Sequence, residues 1–118
     1  YNTGHAIRYE LNLVALIKAL RKEFNAPNAK FVCATLGQTD KKAGGNEGHI
    51  LRAQLAVDGK TGKYSEFKDN VASVYSKPFN RGGSSNGHYG GNPETYMDVG
   101  QAMGAAMAEM IKNDSKAD

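Results

Sequence analysis

Lys30-Phe-Val-Cys-Ala-Thr-Leu36 and, some forty residues on, Asn70-Val-Ala-Ser-Val-Tyr75 decide how this chain folds. Each is a short, nearly continuous apolar run, not an alternation of apolar and polar residues. That is the pattern of a strand covered on both faces, as in parallel sheets. Between them a loop over residues 37–45 leads into a helical pattern over about residues 46–57, with Asn46 as its N-cap. Asp58-Gly59 and Thr61-Gly62 are turn pairs. Strand, helix, strand predicts a parallel pair joined by a right-handed crossover.

Working outward, Ile7, Leu11, Val14, Ile17 and Leu20 recur at three- and four-residue spacing, with Leu13, Leu16 and Phe24 beside them. They predict one apolar helix face over about residues 5–24, stopped by Asn25-Ala26-Pro27. At the other end, Asn92-Pro93-Glu94-Thr95 is a helix start. Asn92 caps, Pro93 fits the first helical position and Glu94 favours the positive end of the helix dipole. Tyr96, Val99, Met103, Met107 and Met110 continue as a packing stripe to about Ile111. The predicted order is helix-strand-helix-strand-helix: a single α/β domain over residues 1–112, with residues 113–118 a polar, fraying tail. Two such strands on their own are both edges, although both are apolar enough to be central. The expectation is therefore half of a larger sheet, completed by a second copy or by a missing N-terminal half.

Composition narrows the functional classes. At 118 residues with 40% hydrophobic and 23% charged residues, the chain suits one modest core. No run of about eighteen apolar residues and no signal-like leader is present, so no membrane association is expected. The chain opens at Tyr1 and not at Met, which suggests a trimmed or partial product. The net charge of +3 is spread thinly, without the basic stripe and interleaved aromatics of a nucleic-acid binder. Cys33 is alone, which excludes an internal disulfide, and its apolar run predicts a small buried hydrophobe instead of a reactive thiol. His5, His49 and His88 have no metal-ligand spacing, so neither a metal nor another cofactor is expected, and His5 and His49 read as solvent-facing.

The candidate site is the loop after the second strand, Arg81-Gly-Gly-Ser-Ser-Asn-Gly-His88-Tyr-Gly-Gly-Asn-Pro-Glu-Thr-Tyr96. Loops leaving the carboxyl ends of parallel strands are where ligands and reacting groups gather in open α/β sheets. His88, set among five glycines and two serines, is the candidate general base. Asn86 and Tyr89 are candidate substrate contacts. The loop after the first strand shares that rim, which brings Gln38 or Asp40 into range of His88.

Gly4-His-Ala-Ile-Arg-Tyr9-Glu-Leu-Asn-Leu-Val, Leu20-Arg-Lys-Glu-Phe-Asn-Ala-Pro-Asn-Ala-Lys-Phe-Val32 and Gly87-His88-Tyr89 with Asn92-Pro-Glu-Thr-Tyr96 resemble, in order, the C-terminal part of sialate O-acetylesterase-like proteins. These are SGNH hydrolases, a flavodoxin-like α/β class that removes acetyl and related groups from carbohydrate esters. The resemblance implies that His88 stands at the catalytic histidine, taking a proton from a serine nucleophile and returning it to the leaving alcohol. It also implies a carbohydrate ester substrate and export from the cytoplasm. Two departures stand out. Where many SGNH enzymes carry an Asp three residues before the histidine, this chain has Ser85, and the serine and oxyanion-hole blocks of the family are absent. Ser84 and Ser85 are the substitute nucleophiles nearest His88, though adjacent residues on a glycine loop rarely meet attack geometry. The rival reading is a non-catalytic module that binds a carbohydrate or another small molecule and works as an oligomer.

Overall fold

The structure, a computed structural model, describes residues 2–82 and 88–114. It is an α/β arrangement: among the described residues, three α-helices and a two-stranded parallel sheet. Helix α1 spans Thr3–Glu23. Its start lies earlier than the apolar spacing suggested, because Asn2, in an extended conformation, accepts the backbone N–H of His5 at 3.1 Å. Its end is a Schellman turn. Asn25 takes a left-handed φ of 48°, and the Asn25 and Ala26 N–H groups donate back to Lys22 and Arg21.

Strands β1 (Phe31–Ala34) and β2 (Val71–Val74) pair in parallel, Phe31 opposite Val71 and Ala34 opposite Val74. Helix α2 (Gly45–Ala56) joins them and packs along α1. The N-cap of α2 is Gly44, not Asn46. The first helical bond runs from the Gly48 N–H to the Gly44 carbonyl, which leaves Asn46 inside the first turn, where its amide donates to the Thr3 hydroxyl at 3.2 Å. Glu47 supplies the first-turn negative charge that a glycine cap lacks. Helix α3 (Pro93–Asp114) begins as the sequence predicts: the Asn92 side chain accepts the Thr95 N–H at 2.9 Å, with Pro93 first in the helix.

The core forms where α1 meets the sheet. Leu13, Val14 and Ile17 of α1 cluster with Val57, Phe67 and Val71, and Phe31, Cys33, Tyr9 and Tyr64 pack around them. Phe67 is fully buried under a 3₁₀ turn (Ser65–Phe67), with the Arg21 guanidinium 5.7 Å from its ring centroid. Strand alternation turns Val32, Ala34, Ala72 and Val74 to the opposite face, and α3 packs on both strands.

Two expectations need correction. The apolar stripe of α1 is wider than its buried face: Ala6, Leu13, Val14 and Ile17 are buried, but Ile7, Leu11, Leu16, Leu20 and Phe24 are exposed. Nor are the strands covered on both faces throughout. Every residue of β1, and Ala72, Ser73 and Val74 of β2, are only half-buried. No helix among the described residues is long and apolar enough to cross a membrane.

The two sheet edges differ. On β2, the segment after α2 closes the edge: the Gly59 N–H donates to the Val71 carbonyl at 2.8 Å, and the Asp58 carboxylate accepts the Ser73 N–H at 2.9 Å. On β1, the N–H groups of Phe31 and Thr35 are spent on Asn70 and Val74. In a parallel ladder the intervening Val32 and Ala34 then turn their N–H and C=O groups to the other side.

Candidate functional site

The loops leaving the carboxyl ends of β1 and β2 meet in a cleft of about 330 Å³, lined by Leu36, Gly37, Gln38, Asn80, His88, Tyr89 and Tyr96 among others. Its floor is held by side chains acting as backbone. Gln54, buried on α2, accepts the Leu36 N–H at 2.9 Å and donates to the Tyr9 hydroxyl at 3.3 Å. Asn80 ties the two loops together, donating to the Gly37 carbonyl at 3.1 Å and accepting the Gly82 N–H at 3.0 Å. The Lys77 ammonium donates to the Gln38 carbonyl at 2.9 Å. Deeper still, the Thr35 hydroxyl accepts the Ser76 N–H at 3.1 Å. These bonds fix the rim before any ligand arrives, so the cleft is preformed.

His88 sits at the mouth of the cleft, exposed. Its backbone is unusual. His88 and Tyr89 both lie in the left-handed region, with φ of 48° and 56°, and Gly90 and Gly91 continue it at 62° and 69°. Left-handed backbone costs a non-glycine residue about 1–2 kcal/mol, and such strain tends to gather at functional sites. The turn is held from outside: the Tyr96 hydroxyl donates to the His88 carbonyl at 2.8 Å, and the Tyr89 and Tyr96 rings meet edge-to-face at 5.0 Å. At the base of the loop, the Thr95 hydroxyl accepts the Arg81 N–H and donates to the Phe79 carbonyl, and the Arg81 guanidinium pairs with Glu94 and Asp98.

Of the residues singled out in the sequence, His88 and Tyr89 come together at this cleft, joined by Gln38. Ser84, Ser85 and Asn86 lie outside the described residues. Asp40 is exposed and does not line the cleft; its carboxylate accepts the Lys42 N–H at 2.8 Å. His5 and His49 are exposed on the helices. Ser73 is engaged in the sheet, its hydroxyl on the Gln54 carbonyl. Cys33 packs beside the core, where burial pushes its thiol above the ordinary value against the opposing effect of the Ser73 hydroxyl at 3.4 Å. A thiol in that setting is packing, not a nucleophile. The sequence reading missed the structural amides Gln54 and Asn80 and the latch residue Tyr96. Asn80 lies between a Pro78-Phe79 turn and a glycine pair, where a side chain that bonds local backbone is the usual choice. Nothing in the sequence marks Gln54.

Compared with known families, characterised proteins and solved structures, the chain matches none.

Proposed function

We propose that this chain carries the general-base part of an acyl-ester hydrolase site of the SGNH type, on a flavodoxin-like arrangement, and acts on acylated, chiefly acetylated, carbohydrate. The observation that carries this reading is His88: a solvent-accessible imidazole held in a strained left-handed turn at the mouth of a preformed cleft, on the carboxyl rim of both strands. In this reading the imidazole takes the proton of a serine hydroxyl as its oxygen attacks the ester carbonyl. It then returns that proton to the departing sugar oxygen, and water repeats the sequence to release the acid. Ser84 and Ser85 are the serines of the same loop that such a base serves. Tyr89 contacts the sugar, whose apolar ring face suits an aromatic wall, and Asn86 is the second contact the sequence offers.

The test is hydrolysis of a short-chain acyl ester and of an acetylated sugar by the whole chain, beside His88→Ala, Ser84→Ala and Ser85→Ala. Loss of general-base catalysis lowers a rate by about 10²–10⁴-fold, so His88→Ala should fall to background and one serine variant with it. Equal rates in wild type and His88→Ala overturn the assignment.

A second reading is favoured by the Tyr89–Tyr96 pair and the preformed rim: a cleft that binds carbohydrate without chemistry. It predicts no hydrolysis by the wild type, together with saturable shifts of the tyrosine ring signals on titration with an acetylated sugar. Absence of those shifts removes this reading.

A further inference from the structure

We propose that the open edge of β1 is the interface of a twofold dimer, in which β1 pairs antiparallel with β1 of a second copy while α1 and α3 each meet their own counterpart. This stands apart from the hydrolase reading. The two edges of the sheet are treated unlike: Asp58 and Gly59 close β2, whereas Val32 and Ala34 present their backbone groups outward. An open edge flanked by apolar side chains is a pairing surface.

The flanks are apolar on both faces of the sheet. Beside β1, α1 exposes Leu16, Leu20 and Phe24 at 49%, 39% and 73%, and a hollow lined by Leu20, Phe24, Ala29 and Phe31 runs down to the strand. On the other face, Tyr96 borders the cleft together with Ala34, and Asp114 pairs with Lys30, so the line from Tyr96 to Asp114 along α3 follows β1. Met97 and Ile111, exposed at 64% and 53%, lie within about a third of a turn of that line. So do Gly100 and Gly104, where an added side chain would meet open space. The small residues leave room for a second helix to approach closely.

What selects a second copy over an unlike partner is that these features share one height. Tyr9 reaches Leu36 through Gln54, and Arg21 bonds the Ala29 carbonyl, so the middle of α1, near Leu16, lies level with the middle of β1. By the same reasoning Gly104 on α3 lies level with it. One axis through the centre of the β1 edge, normal to the sheet, therefore brings β1, Leu16 and Gly104 against themselves. Such self-matching is what an isologous interface requires.

The test is sedimentation equilibrium or light scattering on the whole chain from 1 to 100 µM (about two decades around ordinary dissociation constants), with Gly104→Lys and Val32→Pro. Gly104→Lys places a charge on the axis without disturbing the fold, since nothing lies near its Cβ. Val32→Pro removes an outward N–H and spares the β1–β2 ladder. The expected result is twice 12.7 kDa for the wild type and 12.7 kDa for both variants, with unchanged circular dichroism. A wild type that stays monomeric throughout overturns the proposal. So does a dimer that survives Gly104→Lys, because its contact must then lie elsewhere.

Discussion

Tyr89 occupies the space that a side chain on Gly37 would need, and its carbonyl backs onto Gly82, so neither glycine can gain a Cβ without moving this tyrosine. Gly37→Ala should therefore swing the Tyr89 ring out of the cleft and break its edge contact with Tyr96. Overpacking of this kind costs about 1–3 kcal/mol, readable as a lowered urea midpoint and as loss of upfield-shifted ring signals. His88 offers a complementary test, because its left-handed φ of 48° is tolerated by asparagine and resisted by β-branched residues. His88→Asn should keep wild-type stability, whereas His88→Val should lose about 1 kcal/mol more. Equal stability of the two variants in urea would mean that the turn does not constrain this position. The sequence made His88 and Tyr89 conspicuous through the glycines around them. It could not show that the strain falls on the histidine and tyrosine themselves, because left-handed φ at a non-glycine residue is imposed by the surrounding contacts.

Between elements, Asp58 does what its position in a turn pair does not reveal. Its carboxylate accepts N–H groups from Lys60, Thr61 and Ser73 and the Thr61 hydroxyl, at once shaping the turn after α2 and closing the edge of β2. Burial pushes the carboxyl up, yet these bonds outweigh it and hold it below the ordinary 3.8. With the folded value depressed, the unfolded chain takes up the proton first as pH falls. Stability from Asp58 is thus fully present above about pH 4 and is lost as pH drops through the folded value. Asp58→Ala should cost about 1–2 kcal/mol at pH 7, the lower part of the range for charge-assisted bonds because the site is partly exposed. It should also flatten the acid limb of a urea-midpoint-against-pH profile between pH 5 and 2 (the usual carboxylate range). An unchanged acid limb would show that the edge closure is not electrostatic. Element starts were legible where side chain and backbone cooperate locally, as at Asn92-Pro93. They were not at α2, where the Gly44-Gly45 pair sets the cap and Asn46 is drawn to Thr3 on another helix. Phe67 shows the same limit: it lies in no periodic run, and it is core only because the 3₁₀ turn carries it against Leu13, Val14 and Ile17 of α1.

For the whole molecule, the radius of gyration of 14.8 Å exceeds the roughly 13.5 Å of a compact chain this long, in keeping with helices of 21 and 22 residues on strands of 4 residues each. The strand spacing predicted parallel pairing, and the pairing is there. The coverage implied by apolar runs such as Phe31-Val-Cys-Ala34 is not, since a run suited to burial on both faces says nothing of which chain supplies the cover. If a second copy supplies it, association is coupled to folding and stability depends on concentration. Each tenfold rise in protein concentration then adds about 1.4 kcal/mol per dimer, worth a thermal midpoint higher by about 3 °C for a unit of this combined size. Gly104→Lys separates the two contributions. Lysine is a better helix former than glycine by about 0.5–1 kcal/mol, so the variant should show a midpoint independent of concentration. At high dilution, where the wild type has dissociated, the same variant should be the more stable of the two. A wild-type midpoint that does not move between 1 and 100 µM (the two-decade span over which ordinary interfaces dissociate) would instead mean that the half-exposed β1 is stable as it stands, its cover no part of what holds the fold.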